Sequence, residues 1–211
     1  MLKTPSLDQR LIKVSFVPVF PLSQPMFPGC RLPLRIFEPR YLRMVSESSR
    51  EGTGFVITLL QAGQEVIRSG SEGQRFYDLG CLCHIVDFEQ LAGGMLGITV
   101  EGSKEVWIGP AHQEDDGLWM ARVHAADVQS LPADEPVDDL QAVMKELSSH
   151  PLLDNLVPDW DATLNDPGLL LNQLCCWLPM SEVQKQSLLT ELDHQQRLAV
   201  LRQMLDDWMR R

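Results

Sequence analysis

Positive charge is scarce in this chain: 18 lysines and arginines stand against 29 aspartates and glutamates in 211 residues, a formal net charge of −11. The shortage is uneven, since residues 1–125 carry 12 basic against 14 acidic side chains and residues 126–211 carry 6 against 15. A surface of that sign repels phosphate backbones, so nucleic acid is not expected as a partner. Long apolar runs are missing too. No window approaches the roughly 20 residues that a membrane helix needs, and Met1 to Val14 is charged where a secretion signal would be apolar. No membrane partner and a cytoplasmic location are therefore expected. Cysteine is limited to positions 30, 81, 83, 175 and 176, an odd number that argues against a disulfide framework. The glycine-rich loop with Lys-Ser/Thr that cradles nucleotide phosphates is also absent, and Lys3, Lys13, Lys104, Lys145 and Lys185 sit in no recognisable catalytic setting.

Proline, by contrast, is concentrated where the pattern is most specific. Pro21, Pro25, Pro28, Pro33 and Pro39 fall close together, and each removes a backbone donor, so residues 27–41 are expected as an edge strand or extended loop. Leu32, Leu34 and Ile36 alternate with Arg31, Pro33 and Arg35, giving one buried and one wet face. Glu38-Pro39 then starts a helix, with proline in the first turn and a carboxylate at the positive end of the dipole. Its buried stripe is Tyr41, Met44, Val45 and Ser48, with Arg40, Arg43, Glu47 and Arg50 elsewhere, and it ends before Glu51-Gly52-Thr53-Gly54.

These residues carry a resemblance. Val17-Pro18-Val19-Phe20-Pro21-Leu22, Phe27-Pro28-Gly29, Leu32-Pro33-Leu34 and Ile36-Phe37-Glu38-Pro39-Arg40-Tyr41 resemble the start of the Lon protease amino-terminal domain, in particular its stand-alone bacterial members. Residues 54–60 and 79–85 are similar to the family's next two strands. Arg35 stands where the pattern leads one to expect histidine. The resemblance implies an α+β chain with a PUA-like β pseudo-barrel. It also implies a substrate-recognition module, because Lon's ATPase and Ser/Lys peptidase lie in other domains.

Read on their own residues, positions 14 to 126 have the texture of a mainly β domain. Candidate strands are 13–20, 55–60, 77–89, 95–101, 103–108 and 118–125, with hairpin turns at Gly93-Gly94 and Gly102. After Pro132 the period becomes 3.6: Val137, Leu140, Val143, Met144 and Leu147 share a helix face. Asp166-Pro167 opens a second helix that buries Leu170, Leu171, Leu174 and Leu178. Ser181 to Gln184 and Asp193 to Gln196 are capping boxes, and Leu198, Leu201, Leu205 and Trp208 line the last helix. The expected division is a β domain over 1–126 and a small α-helical bundle over 127–211.

No constellation of residues points to catalysis, a cofactor or a metal. Cys81 and Cys83 share one strand face while His84 points to the other, and no second pair completes a zinc site. Cys175 and Cys176 diverge around a helix; a thiol hydrolase would need His150 or His194 beside one of them. The acidic pairs at 115–116, 138–139 and 206–207 read as solvated surface. Glu38, flanked by arginines, is expected to cap its helix and pin the preceding loop. What remains is recognition of unfolded or extended polypeptide by a preformed apolar surface: Met26, Phe27, Arg31, Arg35 and Phe37. Pro28, Gly29, Glu38, Pro39, Arg40 and Tyr41 are the structural part of the motif. A separate protease or chaperone would be a further partner, an RNA-associated role is the second reading, and the oligomeric state is left open.

Overall fold

The computed structural model describes residues 16–66, 73–150, 153 and 156–210. Seven strands come first: β1 (Val17–Leu22), β2 (Arg31–Ile36), β3 (Phe55–Ala62), β4 (Arg75–Phe76), β5 (Leu79–Gln90), β6 (Leu96–Gln113) and β7 (Trp119–Ala125), with helix α1 (Pro39–Glu51) between β2 and β3. The expected start of the first strand at 13–15 lies outside the described residues. Along the sheet the order is β1, β7, β6, β5, β3, and β1 pairs β3 as well, which returns the sheet to its own beginning. Five strands thus close a ring, the expected pseudo-barrel, and closure removes their free edges. The closing pair is parallel, Val19 to Leu22 against Val56 to Leu59, whereas β1 meets β7 antiparallel over Val17 to Val19.

The apolar residues of β1 explain why it can sit between two neighbours. Val19 packs with Val56, Val106, Ile108 and Ala121 on one face of the sheet. Phe20 and Leu22 turn toward the main core with Phe55 and Ile57. Pro21 is tolerated because the β7 pairing ends at Val19, two residues earlier; only β3 neighbours it.

Helix α1 has Pro39 in its first turn and ends at Gly52, whose φ of 64° is the left-handed conformation of a helix C-cap. Tyr41, Met44, Val45 and Ser48 are buried as their spacing predicts. Arg40 is buried as well, against the expectation that it lies off the stripe. Its guanidinium donates to the carbonyls of Gly117 and Glu65 and to the Glu38 carboxylate. Glu38 therefore caps no helix amide; it neutralises Arg40 at 3.0 Å.

One expected turn is not a turn. Gly102 lies inside β6, an uninterrupted strand of 18 residues, where its N–H donates to Cys30 O (3.0 Å) and its carbonyl accepts from Gly29 N (2.8 Å). A Cβ at Gly102 would run into the Phe27 carbonyl, so glycine here permits close approach of a second backbone. The turn at Gly93-Gly94 is present, with both residues at positive φ.

Five helices follow: α2 (Asp138–Leu147), α3 (Trp160–Asn165), α4 (Pro167–Trp177), α5 (Glu182–Thr190) and α6 (His194–Met209). Asp166 caps α4, and Ser181 with Gln184 forms the reciprocal capping box of α5. Asp193 accepts from Gln195 N and Gln196 N, while the Gln196 side chain turns to the Asp193 carboxylate, so the second box is only half made. Leu140, Met144, Leu170, Leu174, Leu188, Leu198 and Leu201 share one continuous core with Met26, Phe27, Cys30 and Cys81.

Gly102→Ala should destabilise the fold by at least about 2 kcal/mol, the scale of overpacking against an immovable backbone. Denaturant unfolding with an unchanged m-value measures it; a loss below about 0.5 kcal/mol would show that Phe27 can move aside.

Candidate functional site

Most of β5 and β6 beyond the ring forms an arm. β3 pairs β5 only at Cys81 to Cys83, so among the described strands residues 85–90 pair with β6 alone. On the far side of β6, β2 pairs over residues 96–101. The result is a three-stranded arm, β2-β6-β5, whose rows can be read from the register: Leu34 beside Ile98 beside Phe88, and Arg35 beside Gly97 beside Glu89.

Apolar side chains remain uncovered on this arm. Phe88 is 53% exposed, Val86 45% and Met95 41%; Phe37, which follows the last residue of β2, is 54% exposed. Ile36 pairs with Leu96, the neighbour of Met95, so Phe37 and Met95 stand at the same end. Two clefts meet at Phe88. One of about 230 Å³ lies between β5 and the end of α1, lined by Ser48, Gly52, Thr53, His84, Ile85 and Phe88. The other, of about 470 Å³, runs over Pro33, Arg35, Asp87, Glu89, Gly97 and Thr99. Its polar walls are of both signs, with Arg35 on one side and Asp87 and Glu89 on the other.

The structure divides the residues expected to bind polypeptide. Arg35 and Phe37 are exposed on the arm, and Arg31 is half-buried with its Nε donating to Glu101 at 2.8 Å. Met26 and Phe27 are fully buried, contrary to the expectation that they are displayed. The helices explain the difference: Gln173 of α4 donates to Gly29 O at 2.8 Å, and the Arg197 guanidinium of α6 lies 5.9 Å from the Phe27 ring centroid. Pro28 and Gly29 hold the same loop, with Gly29 at φ 77°. Phe88, Val86 and Met95 were not picked out from sequence. The signal that could have found Phe88 is its place between Asp87 and Glu89, an aromatic among charges in a strand.

A second polar constellation lies at the seam between barrel and helices. Arg197, with no exposed surface, donates from Nη1 to Asn172 Oδ1 (2.8 Å), from Nη2 to Glu105 Oε1 (3.1 Å) and Leu189 O (3.2 Å), and from Nε to Glu191 O (3.0 Å). Burial works to raise the pKa of Glu105, but His194 and Arg197 outweigh it and hold the carboxyl below the ordinary range. His194 Nε2 stands 3.7 Å from the same oxygen, beyond hydrogen-bond length.

Cys30 and Cys175 are poorly placed for nucleophilic chemistry. Cys175 is fully buried and burial pushes its pKa up to about 12, and the Cys30 thiol is raised well above its usual value by burial and by the neighbouring Cys176. A thiolate is the nucleophile, so neither is activated. Cys81 and Cys83 are buried on one face of β5 while His84 is exposed on the other. Among the described residues no group of three His, Cys, Asp or Glu side chains could hold a metal ion, and no helix is long and apolar enough to cross a membrane.

A family model for the ATP-dependent protease La (LON) substrate-binding domain matches residues 17–207. Among solved structures, a Lon N-terminal domain protein from Xanthomonas campestris is 26% identical, with a TM-score of 0.64 over 89% of this chain and 97% of that one. The N-terminal domain of a Mycobacterium avium complex Lon protease is 19% identical and shows the same fold, with a TM-score of 0.62 over 89% of this chain and 96% of that one. No curated protein matches the chain.

Arg197→Met should cost about 3–5 kcal/mol, because it leaves Glu105 buried without its cation, and the double variant Arg197→Met with Glu105→Met should recover most of that loss. Equal losses in the single and double variants would show that the pair is not coupled. Acidification gives a second test. The folded pKa of Glu105 lies below its unfolded value, so its contribution is present above the unfolded value and is lost as pH falls through the folded one. Stability of the wild type should drop across that acidic window more steeply than that of Glu105→Gln, measured by denaturant titration at each pH.

Proposed function

This chain belongs to the family of Lon substrate-binding domains, and from that premise we propose that it holds unfolded or extended polypeptide on the β2-β6-β5 arm without altering it chemically. The observation that carries the reading is the set Phe37, Val86, Phe88 and Met95, all uncovered on an arm that stands outside the closed ring. Exposed apolar side chains gathered on one element are the usual mark of an interaction surface. Phe88 forms a wall of both clefts, so a bound chain would bury it from two sides. Methionine at the tip adds a side chain that adapts to varied partners.

Electrostatics support a polypeptide over a nucleic acid. Arg35 faces Asp87 and Glu89 across Gly97, and Arg31 is already neutralised by Glu101. A surface of alternating sign suits peptide backbones and mixed side chains, whereas phosphate binding needs a continuous basic patch. A separate protease or chaperone would act on what the arm holds. The buried, raised-pKa thiols support a binding role over thiol hydrolysis.

The test is binding of a reduced, alkylated model protein that cannot refold, with cleavage assayed alongside in the presence and absence of ATP. Phe88→Ser combined with Phe37→Ser should weaken binding by about tenfold or more, as loss of an interface anchor does. The same variant should leave unfolding free energy within about 0.5 kcal/mol of wild type, as at other surface sites. Phe27→Ser should instead lower the thermal transition sharply. Unchanged binding by the Phe88 and Phe37 variant would overturn the assignment of the arm.

A further inference from the structure

The arm has two outer edges, and main-chain geometry tells them apart. Among the described strands β2 pairs with β6 alone, and so do residues 85–90 of β5. In antiparallel sheet the N–H and C=O of successive residues point alternately to one side of the strand and to the other. Gly102 sets the phase of β6, because its N–H donates to Cys30 O and its carbonyl accepts from Gly29 N, both on the β2 side. Counting by twos, Val100, Ile98 and Leu96 turn to β2, while Thr99 and Gly97 turn to β5. The hairpin gives the same phase independently, since Leu91 N donates to Met95 O.

The register then assigns the outward groups. Leu32, Leu34 and Ile36 lie opposite Val100, Ile98 and Leu96, so the main chain of Arg31, Pro33 and Arg35 faces outward from β2. Pro33 has no N–H to offer there, and proline on an outer edge is a common barrier to a further strand. On β5, Asp87 and Glu89 lie opposite Thr99 and Gly97, so the N–H and C=O of Phe88 and Gln90 face outward. No proline interrupts β5. The Phe88 N–H is bonded to the neighbouring carboxylate, Asp87 Oδ1 at 2.8 Å, an exposed partner that an incoming carbonyl can displace.

There is room beside this edge. β3 begins at Phe55, opposite Cys83, and the line it would follow past residue 84 is occupied by the cleft of about 230 Å³ between β5 and Ser48, Gly52 and Thr53. Phe88 borders that cleft and shares a face with Ile98 and Leu34. Resting on the reading of the arm as the polypeptide site, we infer that the outer edge of β5 takes an extended segment as an added strand. Its occupant is a stretch of chain with an apolar residue opposite Phe88 and no proline at that residue. That residue donates its N–H to Phe88 O and accepts from Phe88 N, and its side chain enters the cleft against the Phe88 ring. The two residues flanking it turn their own N–H and C=O away from β5. Such a site reads main chain first and side chains second, which suits clients of varied sequence.

The full chain, labelled with ¹⁵N, can be titrated with N-acetyl-Lys-Ser-Thr-Phe-Thr-Ser-Lys-amide and with two N-methylated forms of it. Methylating the Phe nitrogen should weaken binding by about tenfold or more, since it removes a donor and places a methyl group against β5. Methylating the nitrogen of the Thr before it, which faces away from β5, should cost about threefold at most. Amide exchange supplies the matching readout on the protein: the bound peptide should slow exchange at Phe88 and Gln90 and leave Glu89 as it was. Absence of binding by the parent peptide, equal losses from the two methylations, or unslowed exchange at Phe88 and Gln90 would overturn the added strand. If the variant Phe88→Ser with Phe37→Ser still loses the alkylated model protein in that case, the arm stands as the polypeptide site and only this mode of binding falls.

Discussion

The buried guanidinium of Arg197 is the interaction on which the rest of this molecule depends. From one turn inside α6 it reaches the barrel through Glu105, α4 through Asn172, and the end of α5 through the carbonyls of Leu189 and Glu191. Four separate pieces of chain are fixed by a single planar group, a task suited to arginine because its fork of donors is rigid. A buried ion pair of this kind adds little net stability over a well-packed apolar replacement. Its effect is on placement: it sets how the helices lie against the sheet, and so it decides what is covered.

Phe27 shows the consequence. The loop from Met26 to Cys30 lies between Gly102 of the barrel and the helices. With the helices in place, Gln173 and Asn172 bond to that loop's carbonyl and thiol, and the loop becomes interior. Exposed apolar side chains are left instead on the β2-β6-β5 arm, at Phe37, Val86, Phe88 and Met95. Arg40 does similar work on the other side of the motif by tying α1 to the carbonyls of Gly117 and Glu65.

Much of the architecture was legible in the sequence because it rests on local chemistry. The alternation of Leu32, Leu34 and Ile36, the proline start of α1, the stripe from Tyr41 to Ser48 and the caps at Asp166 and Ser181 depend on neighbours a few residues away. What was not legible depends on distant partners. Gly102 reads as a turn until Phe27 is seen to lie against it. Arg40 reads as solvent-facing until its three acceptors are known, and Asp116 and Asp139 read as plain surface although Arg43 and Arg202 hold both carboxyls below their ordinary pKa. Met26 and Phe27 could not be told from display residues, because the core they join includes leucines of the distant helices. Phe88 was passed over because a lone aromatic in a strand is normally half-buried by its neighbours, and only the short reach of β3 leaves it bare.

The double pairing of β1 bears on the order in which this protein can be made. Val19 needs both Val56 and Trp119 beside it, so β1 stays incomplete until β7 has followed. Pairings so distant in the chain close slowly. Until then Val19, Phe20 and Leu22 are open to any other apolar chain nearby. The closed ring that ends by hiding these side chains is thus preceded, during synthesis, by a chain that displays them.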